Sequence, residues 1–223
     1  MEEIGQRVLV VGATGGSGKE AVRQLLTLGY MVTAFSRHAD QLGIEDVNLR
    51  KVNGDVMRSE DIDSALSGQD AVVVTLGISE SPVRVRLRGS ATTPIDVRSR
   101  GTANVVAAMR ASGVRRLVVQ SSFGVGETRS KLPLVERLVF RLLLKPQIED
   151  TERQERVVRE SGLDWVIAQP VTLTNAVENE AAFLSVDGDT RRMKVSRRSV
   201  ARFLVEAVQT PDYVGKTVAL SAA

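Results

Sequence analysis

The chain has 223 residues, 43% hydrophobic and 26% charged, with 30 Lys and Arg against 27 Asp and Glu. That length and balance fit one α/β domain with a real core, and the absence of cysteine excludes disulfides, thiol catalysis and Cys-ligated metals. A single histidine, His38, cannot build a His-rich metal site, and an aromatic content of 4% offers no base-stacking platform for nucleic acid.

In chain order, RVLVVGA (7–13) is a β-branched run that stops at glycine. A helix follows from about Ser17 to Leu28, with Val22, Leu25 and Leu26 on one face and Gly29 at its C-cap. MVTAFS (31–36) and LRKVNGDV (49–56) read as strands, and SEDIDSAL (59–66) as a short helix capped by Ser59. QDAVVVTLG (69–77) is a buried strand, PIDVRSRGTANVVAAMRAS (94–112) a long helix closed by Gly113, and RRLVVQSS (115–122) a fifth strand. Near-continuous Val/Leu strands between helices predict a parallel sheet covered on both faces.

After Ser122 the pattern loosens. FGVGETRSK (123–131) reads as a loop, and 132–145 as a helix with Leu134, Leu138 and Leu142 on its apolar face, ended by Pro146. A helix over roughly 150–161 precedes the strand LDWVIAQP (163–170). Short strands near FLSVDGD and RMKVS, a helix over about 198–209 and the strand KTVALS complete the chain. No repeat, low-complexity tract or linker interrupts it, so residues 1–223 are expected to form a single domain. The basic runs VRVRLRG (83–89) and TRRMKVSRR (190–198) read as solvated faces, with an electropositive rim for an anion as the sharper alternative. The polar N-terminus MEEIGQR and the short apolar runs predict neither a secretory signal nor a membrane span, hence a cytoplasmic protein.

GATGGSGKE, starting at Gly12, admits two phosphate-binding readings. An ATP-type loop needs Gly at 13 and a hydroxyl after Lys19, where this chain has Ala13 and Glu20. No apolar strand here ends in the Asp that would hold magnesium. The spacing of Gly12, Gly15 and Gly18 instead fits a dinucleotide turn between a strand and a helix, with Thr14, Gly16 and Ser17 completing the loop. At the end of the second strand, Ser36 and Arg37 stand where an acid would bond the ribose 2′-hydroxyl of NAD, which favours NADP.

GATGGSG, FSR, GDV (54–56), VVVTLG, GTANVVAAMRASGVRRLVVQSS and RESGLDWVIAQP together resemble the atypical short-chain dehydrogenase/reductases. The likeness is to the NAD(P)H-binding group that includes NmrA-like proteins and the flavin reductase (biliverdin reductase B) type, and it runs from about residue 7 to the last strand. It implies a doubly wound, mostly parallel Rossmann sheet with a small C-terminal region on the substrate side. It also implies that Asp55 and Val56 meet the adenine, that Leu76 and Gly77 border the adenosine ribose, and that Ser121, Ser122 and Pro170 lie near the nicotinamide. The commoner dehydrogenase branch uses a Tyr-x-x-x-Lys pair. The only tyrosines here, Tyr30 and Tyr213, lack a lysine at that spacing. Val171 and Thr172 stand where flavin reductases tend to carry proline and histidine, and Gln169 where related proteins often carry Arg.

The expected activity is NADPH-dependent hydride transfer to a small planar acceptor such as a flavin or quinone, with Ser122 and Thr172 as the candidate catalytic residues and no metal. The alternative is a non-catalytic NADP-binding sensor or scaffold of the NmrA-like kind. Neither nucleic acid nor membrane is an expected partner, and the chain is expected to be a monomer or a weak homo-oligomer.

Overall fold

A computed structural model describes residues 6–78, 93–132, 145–176 and 181–223. Strand β1 (Arg7–Val11) leads into helix α1 (Gly16–Thr27), β2 (Met31–Ser36), β3 (Leu49–Asn53), α2 (Ser59–Leu66) and β4 (Ala71–Val74). Helix α3 (Val97–Ser112), β5 (Arg116–Gln120), α4 (Lys145–Arg159) and β6 (Asp164–Pro170) continue the alternation. The chain then forms β7 (Thr172–Thr174), β8 (Phe183–Ser185), β9 (Lys194–Ser196), α5 (Arg197–Gln209) and β10 (Lys216–Ser221).

The main sheet has eight strands in the order β3-β2-β1-β4-β5-β6-β10-β8. Every pairing is parallel except that of β10 with β8. Strand order reverses between β1 and β4, which is the switch point where a doubly wound sheet opens a crevice at its carboxyl edge. Strands β7 and β9 pair separately, forming the small C-terminal region on that same side.

Alternation along β1 explains the two-faced burial. Val8 and Val10 pack with Val22 and Leu25 of α1 and Phe203 and Leu204 of α5. Leu9 and Val11 pack on the other face with Ile62 of α2, Val105 and Met109 of α3 and Val158 of α4. Both faces are thus covered, as the unbroken Val/Leu runs require. Helix α1 ends where Gly29 adopts φ 80°, its amide bonding the Leu26 carbonyl at 2.9 Å.

The element boundaries differ in instructive places. Strand β3 stops at Asn53 because Asp55 starts a turn: its carboxylate accepts the Met57 amide at 3.0 Å. Arg58, not Ser59, occupies the N-cap of α2, with no side-chain cap. Residues 126–131 form a 3-10 turn inside the expected loop. Helix α4 begins at Lys145, five residues before the expected start at 150, and Pro146 sits in its first turn, where a missing amide costs nothing. The expected helix over 132–145, with its Leu134 face, lies almost wholly outside the described residues.

Candidate functional site

The glycine turn is built by close approach. Gly12 has φ 84°, and a Cβ there would lie 2.9 Å from the Thr75 carbonyl oxygen. Gly18, inside α1, would place a Cβ against the Gly12 carbonyl and 2.7 Å from Thr75 Oγ1. Thr75 in turn donates its hydroxyl to the Val11 carbonyl at 3.1 Å. The turn is therefore wedged between α1 and the end of β4, and Thr75 is a structural partner of the motif. Gly15 is different: it caps α1 in an extended conformation, and a Cβ would meet only the Gly12 carbonyl oxygen at 3.2 Å and the Thr75 oxygen at 4.0 Å.

No acidic residue occupies the first turn of α1, so its free amides are open to an anion. Glu20, further along, pairs with Arg23 at 2.6 Å. Ser17 and Gly18 are buried in the first turn. Gly16 borders a neighbouring groove, where a Cβ would fall 2.6 Å from Arg197 Nε, so the Arg197 stem lies across the turn. Arg197 also donates to Asn175 Oδ1 at 2.6 Å.

A cavity of about 210 Å³ opens at the carboxyl edge, beside the turn. Gly12, Thr14 and Gly15 wall it on one side, Ser36 and Arg37 at the end of β2 on another, Asp55, Val56, Leu76 and Gly77 on a third, and Thr93, Pro94 and Val97 complete it. Arg37 is exposed, and its Nη2 donates to Thr93 Oγ1 at 2.9 Å, which holds the guanidinium at the rim. Ser36 Oγ is buried at the cavity wall and has no hydrogen-bond partner among the described residues. These features fit a dinucleotide: a cradle that side chains would fill, helix amides facing it, and a polar atom that lacks a protein partner. Asp55 lines the cavity, and its carboxylate accepts the Met57 amide of its own turn.

The nicotinamide-side candidates are arranged otherwise. Ser121 is buried and donates its hydroxyl to Glu155. Glu155 is only 1% exposed and also accepts from Gln169 Nε2 at 2.7 Å and Arg159 Nη1 at 3.0 Å. Gln169 further bonds the Val125 carbonyl at 3.0 Å and accepts from Thr128 Oγ1 at 2.8 Å. Ser122 is half-buried, Pro170 is buried at the end of β6, and Thr172 is exposed at the start of β7. None of Ser121, Ser122, Pro170 and Thr172 lines the 210 Å³ cavity. Phe123, next to Ser122, is buried in the core on the α1 side. The polar network around Glu155 and the Arg37–Thr93 contact have no signature in the sequence, because the partners lie 34 and 56 residues apart.

Among the described residues no group of three His, Cys, Asp or Glu side chains could hold a metal ion, and no helix is long and apolar enough to cross a membrane. The fold and the glycine cradle define a dinucleotide-binding protein of Rossmann type. Residues 12–211 match the NAD(P)H-binding family, and the chain belongs to it. It is 28% identical over 227 residues to the uncharacterized protein At2g34460, chloroplastic, of Arabidopsis thaliana, a match covering 97% of this chain and 77% of that one. Over 94 residues it is 31% identical to protein TIC 62, chloroplastic, of Pisum sativum, covering 34% of this chain and 18% of the other. Among solved structures, a short-chain dehydrogenase/reductase from Veillonella parvula in complex with NADP superposes with a TM-score of 0.80 at 18% identity, covering 97% of this chain and 94% of that one. An anaerobilin reductase from Escherichia coli O157:H7 superposes with a TM-score of 0.76 at 19% identity, covering 97% of each chain. At these identities the superpositions establish a shared fold.

Proposed function

We propose that this protein is an NADPH-dependent oxidoreductase that delivers hydride to a planar acceptor such as a flavin or quinone. The observation that carries the cofactor half is the rim of the cavity at the end of β2. Arg37 stands there with a planar multi-donor guanidinium, beside the unpartnered Ser36 hydroxyl. An acid at this position would repel a 2′-phosphate, and there is none among Ser36, Arg37 and His38.

A bound nicotinamide supplies the hydride. The chain's own residues bind, align and shield. In this reading Gly15, Gly16 and Ser17 present amides to the diphosphate, and Asp55, Val56, Leu76 and Gly77 enclose the adenosine. Ser122 and Thr172 orient the acceptor. Flavin reduction suits a site without a Tyr-Lys pair, since water can protonate the reduced flavin nitrogens. The shared fold with an anaerobilin reductase is in keeping with a planar substrate. We further read residues 1–223 as one working domain, monomeric or weakly self-associating and cytoplasmic, in line with a cysteine-free chain.

A second reading, an NADP-binding sensor or scaffold without turnover, draws on Ser121. Its proton is committed to the buried Glu155, which leaves few proton donors near the acceptor side. Mixing the protein with NADPH and a panel of flavins and quinones, while following absorbance at the nicotinamide band, separates the two. Oxidation with one acceptor class supports the reductase, and none with any acceptor supports the sensor. For the cofactor, Arg37→Ala should weaken NADPH binding by about ten- to a hundredfold and leave NADH unchanged, in line with about 1.5–3 kcal/mol for a charge-assisted contact. Equal affinities for NADPH and NADH in the unaltered protein would remove that assignment.

A further inference from the structure

The glycine turn separates two hollows. Gly15 lines the cavity that fits the adenosine half of the cofactor. Gly16, the next residue, lines a groove of about 660 Å³ between α1, the end of β7 and the start of α5. Helix α1 contributes Lys19, Glu20 and Arg23 to its walls, and α5 contributes Arg197 and Arg198. Glu20 is the one carboxylate among these described lining residues, and it pairs with Arg23 at 2.6 Å. The groove is therefore electropositive where it meets the turn, a field that draws an anion.

Arg197 is the side chain that reaches from this groove onto the turn. It is the first residue of α5, and its backbone is fixed by the N-cap Ser196, whose hydroxyl oxygen accepts the Ser199 amide at 3.0 Å. Its stem lies over Gly16: a Cβ there would fall against Arg197 Cδ and 2.6 Å from Nε. Any side chain at position 16 would have to displace the arginine, so the glycine is what lets the two meet. Arg197 Nη1 donates to Asn175 Oδ1 at 2.6 Å, which leaves the Nε edge of the guanidinium turned to Gly16. A neutral amide holds the arginine in place without cancelling its charge. Thr174 and Ser196, the neighbours of these two residues, are paired in the β7–β9 sheet, so Asn175 and Arg197 form one supported unit.

On the proposed reading the cofactor diphosphate accepts the amides of Gly15, Gly16 and Ser17. A phosphate on the Gly16 amide is within reach of a guanidinium whose Nε stands over that residue, and the edge of a guanidinium offers parallel donors to two phosphate oxygens. We infer that Arg197 is a binding residue for the diphosphate, closing over it from the C-terminal region while the α1 amides hold it from below. The inference rests on the dinucleotide reading of the cavity. Its consequence differs from that of Arg37. Arg37 meets the 2′-phosphate and separates NADPH from NADH, whereas Arg197 acts on a group that both carry.

Calorimetric titration of the full chain with NADPH and NADH, with displacement of NADPH by 2′-AMP, tests this. 2′-AMP carries the adenine, the ribose and the 2′-phosphate but no diphosphate. Arg197→Gln should weaken NADPH and NADH by the same factor, about tenfold or more, and leave 2′-AMP unchanged. Arg37→Ala should give the other pattern, weakening NADPH and 2′-AMP and sparing NADH. Arg197→Lys should retain part of the affinity, and NADPH binding to Arg197→Gln should fall less steeply with added salt. Gly16→Ala pushes the arginine off the turn, so it should weaken both dinucleotides in the parent and add little in the Arg197→Gln chain. An arginine that only holds the turn in shape would lower the melting temperature and weaken 2′-AMP along with the dinucleotides, and that result overturns the inference. So does an Arg197→Gln variant that binds both dinucleotides as the parent does, which leaves the cofactor reading standing. An unaltered protein that binds neither dinucleotide removes the cofactor reading and the inference with it.

Discussion

Two glycines of one turn are predicted to fail in different ways. Alanine at Gly18 would put a methyl carbon against the Gly12 carbonyl oxygen, 3.0 Å from the Gly12 carbonyl carbon and 2.7 Å from Thr75 Oγ1. Two of these three atoms are backbone, so the helix, the turn or β4 must shift. Overpacking of this kind costs about 1–3 kcal/mol, and the rigid surroundings place it at the upper end. Alanine regains about 1 kcal/mol of helix propensity at an interior position. The net loss is about 1–2 kcal/mol, which for a chain of this size lowers the melting temperature by about 2–8 °C. Gly15→Ala meets the Gly12 oxygen at 3.2 Å in a backbone conformation that alanine adopts freely, so its stability should change by less than about 1 kcal/mol. Its methyl projects where a diphosphate must approach the amides, and NADPH affinity should fall at least about tenfold. Thermal denaturation and calorimetric titration of both variants decide the matter. A stable Gly18→Ala, or a Gly15→Ala that binds NADPH as the parent does, would refute the division of roles.

Three further outcomes follow from the polar groups. Glu155→Gln keeps the shape but turns an amide toward existing donors and leaves Arg159 only its longer pair with Glu127 at 3.7 Å, so urea unfolding should show a loss of about 2–3 kcal/mol, below the range for a fully buried pair because Arg159 is partly exposed. Tyr213 is held above its ordinary pKa, first by burial and then by donating to Glu206 at 3.0 Å. The raised value means that its contribution is complete below about pH 10 and is lost as pH rises through the folded-state pKa, so Tyr213→Phe should flatten the alkaline fall in melting temperature. Ser122→Ala should slow single-turnover flavin reduction by about tenfold with cofactor affinity intact, because an unassisted hydroxyl orients or relays rather than acting as a strong acid. Complete loss would point to an essential acid at that position.

The strands and helices that flank the cradle were legible because their cause is local. The unbroken apolar run Val8–Val11 and the glycines that follow α1 and α3 are written in neighbouring residues, and Met31–Ser36, Ser59–Leu66 and Lys216–Ser221 keep the bounds read from the sequence. The glycine spacing and the missing acid after β2 are local in the same sense. Arg37 could be singled out from the sequence, whereas Thr93, which holds it, could not.

Helix α4 shows why the rest was hidden. Its sequence, KPQIEDTERQERVVR, reads as a solvated charged helix, yet its buried residues are Asp150, Thr151, Gln154, Glu155 and Val158. The stripe has helical period but is polar, so a search for apolar periodicity passes over it. Three of these polar groups reach partners distant in sequence, while Thr151 donates to the Gln147 carbonyl one turn back and Gln154 Oε1 has no partner among the described residues. Asp150 caps α3, Gln154 donates to Thr102 Oγ1 at 3.0 Å, and Glu155 gathers Ser121, Gln169 and Arg159. An apolar stripe would hold α4 against the sheet without fixing its rotation, whereas this one docks in a single register. That register aligns Asp150 with the start of α3 and Glu155 with the end of β5, so one helix sets both Arg98 and Ser121. Buried hydrogen bonds therefore position the end of β5 and the start of α3 together. A substitution in α4 that leaves the core volume unchanged should still disturb both residues together.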